Sequence, residues 1–225
     1  MRDRVIPPDG AITVPGTEVV LDILDQLGDF KGKIRPKAEK YIDAELLNRA
    51  RKRMQWEEDM KREVAAEIVD SLKEAGIDFV ATLTEANLHD LVMALGEDTD
   101  IHHVPVTREE EGIGICAGAY LGGKNPAMVM MNAGFLLSAN ALATVCIHPG
   151  IPVLMLIGHS GGVGEENAGH ATVGSLTEPV LQAMHIVYEK VGRFDDIRPT
   201  IRDSQILARS SRRPTAIVLN KQALR

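Results

Sequence analysis

Residues 126–157 read PAMVMMNAGFLLSANALATVCIHPGIPVLMLI and contain no Asp, Glu, Lys or Arg; the charge-free run extends over 125–164. A membrane span would need about 20 predominantly apolar residues in succession. Here Asn132, Gly134, Asn140, His148, Pro149 and Pro152 interrupt the run. It resolves instead into two short apolar segments, PAMVMMN (126–132) and IPVLMLI (151–157), with a helical pattern over 135–147 between them. Strands that are apolar on both sides belong in a sheet covered on both faces, the setting of parallel strands joined by helical crossovers.

The same alternation continues in both directions. IDFVATL (77–83), IHHVPV (101–106), MHIVYEK (184–190) and PTAIVLN (214–220) have strand character. Helical patterns fill 63–75, 86–95, 108–122, 174–183 and 197–211. Six strands with intervening helices predict an α/β domain: a doubly wound, mainly parallel six-stranded sheet flanked by helices. Ligands of such sheets bind at the carboxyl ends of the strands. The segments there are TEAN (84–87), TREEEG (107–112), NAGFLLSAN (132–140) and GHSGGVGEENAGHATVG (158–174).

The 225 residues suffice for one such domain, placed at 61–225, plus an N-terminal extension over 1–60. Within and just past that extension, PKAEKYIDAELLNRARKRMQWEEDMKR (36–62) is dense in charge and in helix formers, so the extension is expected to be mostly helical. Tyr41, Leu46, Leu47, Met54 and Trp56 give it an incomplete apolar stripe suited to packing on another surface. A net charge of −7 argues against a nucleic-acid surface. Cys116 and Cys146 lie in apolar runs without CxxC spacing, as packed thiols of a reducing compartment would. The opening MRDRVIPPDG has no apolar core of a signal peptide. A cytoplasmic protein with no membrane contact is expected.

TREEEGIGICAGAYLGG (107–123) sets three acids against a run of small residues. Thr107 and Glu110 have the spacing of a capping box, and acids in a first turn complement the helix dipole. The helix that follows carries Gly112, Gly114 and Gly118, each costing about 1 kcal/mol relative to Ala. Such residues suit a place where another backbone or a flat ligand comes close. A carboxylate at that helix start is therefore either a cap or a functional group. Asn132 at a strand end reads equally as an Asx turn or as a hydrogen-bonding group, with Gly134 following in a tight turn. His170 falls on the Gly-rich loop, where a histidine is either solvated or a proton carrier. His159, Glu165, Glu166 and His170 have no recognised metal-ligand spacing, and neither GxGxxG nor GxxxxGK[ST] occurs.

Taken in order, EEGIGICAGAYLGG (110–123), PAMVMMNAGFLLSANAL (126–142) and HPGIPVLMLIG (148–158) resemble the pyrimidine-binding domain of thiamine-diphosphate enzymes. Among these the likeness is to the 2-oxo acid decarboxylases that act on sulfopyruvate and phosphonopyruvate. The resemblance covers about residues 60–220. It implies thiamine diphosphate as cofactor and a catalytic glutamate ten residues before an aromatic; counting back from Tyr120 reaches Glu110. In the family that carboxyl meets the aminopyrimidine and favours the tautomer that activates the thiazolium. Asn132 and Gly134 correspond to cofactor-binding positions, and His170 to an active-site histidine of some decarboxylases.

The resemblance also implies a missing half. Relatives hold the diphosphate and Mg²⁺ on a second domain with a GDG…N element, and this sequence has no GDG. The Mg²⁺ and diphosphate are thus expected on a separate diphosphate-binding (PP-type) β subunit, in a hetero-oligomer acting on a small anionic 2-oxo acid. The alternatives are a carboligase subunit sharing the same cofactor chemistry, and a non-catalytic regulatory subunit of the same fold. Retention of Glu110 argues against the second.

Overall fold

The computed structural model describes residues 62–83 and 86–220. The expected extension over 1–60 lies outside the described residues. Six strands form one sheet: β1 (Phe79–Thr82), β2 (His102–Pro105), β3 (Pro126–Met131), β4 (Leu154–His159), β5 (Val187–Val191) and β6 (Thr215–Asn220). Their order is β2-β1-β3-β4-β6-β5, and every neighbouring pair is parallel. The central strands β1, β3, β4 and β6 are apolar and buried along nearly their whole length, which explains why their sequences lack alternation. The edge strands β2 and β5 are largely exposed.

Seven α-helices accompany the sheet among the described residues. They are α1 (Arg62–Glu74), α2 (His89–Glu97), α3 (Glu109–Leu121), α4 (Asn132–Leu137), α5 (Ala139–Ala141), α6 (Ala168–Ala183) and α7 (Ile197–Ser211). A π-helical turn, Leu142–Ile147, continues α5. The core is divided by the sheet. Ile68 and Leu72 of α1, Leu91 and Leu95 of α2 and Ile201 of α7 pack with Val80, Val129 and Leu156 on one face. Ile113 and Cys116 of α3, Phe135 of α4, Leu142 and Cys146 of the π-helical turn and Leu181 of α6 pack with Met128, Met130 and Met155 on the other. Burial pushes the thiols of Cys116 and Cys146 up to about 12, so both are inert packing groups. On the first face Arg198 of α7 bridges Glu67 and Glu74 of α1, fastening two helices that are not neighbours in sequence.

Three boundaries differ from expectation for local reasons. The helix expected at 135–147 begins at Asn132, directly out of β3, so Gly134 sits in α4 and not in a tight turn. The helix expected at 174–183 begins at Ala168, because the Asn167 side chain accepts from Gly169 N and His170 N at 2.9 and 3.2 Å. The fifth strand begins at Val187, not at residue 184, since α6 runs to Ala183 and His185 then turns with φ 55°.

Candidate active site at the carboxyl edge of the sheet

The chain leaves β1 toward β2 on one side and returns to β3 on the other, so the topological switch lies between β1 and β3. Open parallel sheets bind ligands in the crevice at the carboxyl ends of such strands. The start of α3 follows β2, and α4 follows β3, so the acidic turn and Asn132 both open from this edge.

The three glutamates have separate surroundings. Thr107 donates through its N–H and its hydroxyl to Glu111 Oε2, at 3.2 and 3.0 Å. The capping box expected of Thr107 and Glu110 does not form: Glu111, four residues on, reaches back to Thr107, while Arg108 takes the N-cap position without a side-chain cap. Those two donors, the backbone one foremost, hold the Glu111 carboxyl below its usual range. Glu110 takes no part in that contact. Its Oε1 lies 2.6 Å from Arg108 Nη2, and its Oε2 is buried with no hydrogen-bond partner. A buried carboxylate oxygen without a donor is costly, about 1–3 kcal/mol or more for a charged group, and marks a position where a partner is owed.

Glu109 turns a third way. It stands one helical turn before the buried Gly112 and Ile113, on the side of α3 that faces the sheet. Its carboxylate lies against Gly134 of α4, so closely that a Cβ there would overlap it. Gly112 has a similar role under the helix, where an added Cβ would come 2.6 Å from Met128 Sδ. These glycines let α3 approach α4 and β3.

Asn132 is fully buried, and its amide is engaged at both ends. The NH₂ donates to Ser160 O at 2.8 Å and Thr177 Oγ1 at 3.1 Å, while Ser160 N donates to Oδ1 at 3.4 Å. The residue ties the end of β3 to the loop after β4 and to α6. Asn87, from the segment after β1, donates to Ser160 Oγ at 3.5 Å. The structure therefore joins Asn87, Asn132, Ser160 and Thr177 in one polar network. His170 stands in the first turn of α6, not on the loop, with its side chain 41% exposed. Its neighbour is Glu165, whose importance sequence reasoning missed along with that of Ser160, Thr177 and Glu109. The signal for Glu109 was available in its register with Gly112 and Ile113; the others are met only through long-range packing.

A parallel α/β domain with an acidic helix start, a buried asparagine hub and a Gly-rich loop at one sheet edge has the architecture of a cofactor-binding domain. The chain belongs to the thiamine pyrophosphate enzymes: the model of their N-terminal TPP binding domain matches residues 62–178. The sulfopyruvate decarboxylase subunit alpha of Methanococcus maripaludis is 37% identical over 153 residues, covering 68% of this chain and 92% of that one. The subunit of the same name from Methanocaldococcus jannaschii is 40% identical over 119 residues, 53% of this chain and 70% of that one. Phosphonopyruvate decarboxylase of Streptomyces viridochromogenes is 29% identical over 119 residues, covering 52% of this chain and 30% of that protein. Among solved structures, the 2-oxoglutarate:ferredoxin oxidoreductase of Magnetococcus marinus shares the fold. Its TM-score is 0.56 at 16% identity, over 72% of this chain and 29% of that one.

The residues fit thiamine diphosphate at one end. The unpartnered Oε2 of Glu110 suits a ring nitrogen able to share a proton, and the glycine-lined contact of α3 with α4 suits a close approach. Among the described residues no group of three His, Cys, Asp or Glu side chains is placed to hold a metal. Nor is any described helix long and apolar enough to cross a membrane.

Proposed function

We propose that this chain is the pyrimidine-binding subunit of a split thiamine-diphosphate decarboxylase. Its substrate is a 2-oxo acid, and the relatives' names favour one with a second anionic group, such as sulfonate or phosphonate. The observation that carries the reading is the buried, unpartnered Oε2 of Glu110 at the head of α3. Bound thiamine diphosphate supplies a thiazolium that stabilises carbanion character. Glu110 holds the proton that the aminopyrimidine exchanges, and Arg108 orients it through Oε1. Gly134 keeps α4 close to the acidic turn, Asn132 fixes the end of β3 beneath it, and His170 exchanges a proton with substrate. A partner β subunit of the PP type carries the diphosphate and Mg²⁺, in a cytoplasmic hetero-oligomer, by analogy with subunits named alpha among the relatives.

A second reading of the relay has its own observation. Glu109 faces the sheet and lies against Gly134, the glycine expected at the cofactor. Co-expression with a PP-type partner and an assay of thiamine-diphosphate-dependent CO₂ release from a panel of 2-oxo acids tests the function and separates the two. Glu110→Gln lowers turnover at least 100-fold on the first reading, the scale of a placed acid or base. Loss in Glu109→Gln with turnover kept in Glu110→Gln transfers the role to Glu109. If neither variant loses turnover, the proton relay lies elsewhere, and tight cofactor binding by the isolated chain would defeat the split site.

A further inference from the structure

The loop between β4 and α6 folds around one carboxylate. Glu165 has a side chain only 9% exposed, although it sits in a glycine-rich surface segment. Its Oε2 accepts from Gly161 N at 3.1 Å and its Oε1 from Asn167 N at 3.1 Å, while Glu165 N donates to Gly162 O. The loop is pinned to α6 by backbone contact as well. Gly161 has φ +97°, and a Cβ there would collide with the His170 carbonyl and lie 2.8 Å from Gly174 Cα. A Cβ on Gly174 would in turn come 2.6 Å from Gly161 O. No side chain fits between the loop and the helix, so the carboxylate and the first turn of α6 hold a defined separation.

At that separation Glu165 Oε1 stands 3.6 Å from His170 Nδ1. The same oxygen takes the Asn167 amide, and Asn167 in turn caps the helix at His170 N. Backbone and imidazole of His170 are thus both referred to one acid. A carboxylate facing Nδ1 favours a proton on that nitrogen, which leaves Nε2 as the lone-pair nitrogen of the neutral ring. In solution an unconstrained neutral imidazole shows no such preference for Nδ1–H.

We propose that Glu165 is the positioning residue for His170: its carboxylate takes the Nδ1 side and leaves Nε2 to exchange a proton with substrate. This rests on the reading above that His170 serves the decarboxylation. It adds the residue through which the histidine is oriented, and it gives the Gly-rich loop a task other than phosphate binding.

The test has a readout apart from turnover. Long-range ¹H–¹⁵N correlation spectra of the full chain, labelled at histidine and assigned with His170→Asn, report which ring nitrogen carries the proton. Wild type gives the Nδ1–H form of His170, and Glu165→Gln reverts it to the Nε2–H form. In the complex with its partner, Glu165→Gln lowers kcat roughly 10- to 100-fold with KM changed less than about twofold, part of what a placed acid or base contributes. Added to His170→Ala it costs nothing further, because both changes remove one function. An Nε2–H form in wild type, or additive losses in the double variant, overturns the proposal. Full turnover in His170→Ala, where wild type shows the Nδ1–H signal, instead overturns the role of His170 in the reaction while the clamp stands.

Discussion

Gly134 of α4 and Glu109 of α3 share one space: the glutamate carboxylate occupies the volume that any side chain at 134 would need. Gly134 has a helical backbone and no positive φ, so alanine is acceptable to the chain and improves helix propensity by about 1 kcal/mol. Gly134→Ala is therefore expected to trade that gain against displacement of Glu109, leaving stability little changed, and to reduce turnover of the complex roughly 10-fold or more. Thermal unfolding measured beside CO₂ release checks the pair of effects. Unchanged turnover would mean that the contact serves packing alone.

The Thr107 contact and the proposed role of Glu110 are separable because Thr107 pairs with Glu111 and leaves Glu110 aside. Thr107→Val removes one exposed hydrogen bond to Glu111 and keeps the backbone one, so stability is expected to change little. Turnover should stay within a few-fold of wild type, in contrast to Glu110→Gln. Urea titration and steady-state assay of the two variants side by side make the comparison.

Asn132 is a structural hub with every polar atom engaged. Asn132→Ala strands the Ser160 carbonyl and the Thr177 hydroxyl in a buried setting, at a cost of about 2–3 kcal/mol. For a domain of this size that corresponds to a fall in Tm of about 5–10 °C. Asn132→Asp, which removes the NH₂ donor and adds a buried charge, is expected to be the more damaging of the two. Melting curves rank them.

Acid stability has an identified source in Asp98, whose carboxyl is held below its usual range by Lys73, 2.9 Å away, and by the N–H groups of Ile101 and Asp100. A carboxyl with a depressed folded pKa stabilises above its unfolded value, near pH 4, and loses that contribution as pH falls through the folded one. Asp98→Asn is accordingly expected to be about 1 kcal/mol less stable than wild type at pH 7, with the gap closing below about pH 4. Lys73 is raised mainly by the same bond, so its contribution is present below its unfolded value and lost as pH rises through the folded one. Denaturant titrations across pH show whether the gap closes.

The sheet was legible because its central strands are apolar throughout and the segments between them have helical period. Every one of the six expected strands is present, and the parallel sheet follows from their alternation with helices. What the sequence hid was local side-chain geometry. Asn167 as a cap draws α6 back to Ala168 and moves His170 from loop to helix. The acid that closes on Thr107 is Glu111, one residue beyond the standard box spacing, a choice made by the extended backbone of Arg108. In the sequence Glu165 stands only within a set without metal-ligand spacing, because the close approach of Gly161 and Gly174, thirteen positions apart, is met only in the folded loop.

The polar network under the edge has a mechanical meaning. Asn87, Asn132, Ser160 and Thr177 come from the segments after β1, β3 and β4 and from α6, yet they are fastened to one another more directly than to solvent. Asn132, Ser160 and Thr177 are consequently expected to be protected and released together in hydrogen exchange, with Ser160 at their centre. A molecule that grips Ser160 is accordingly expected to be felt at Asn87 as well, although more than seventy residues of chain separate the two.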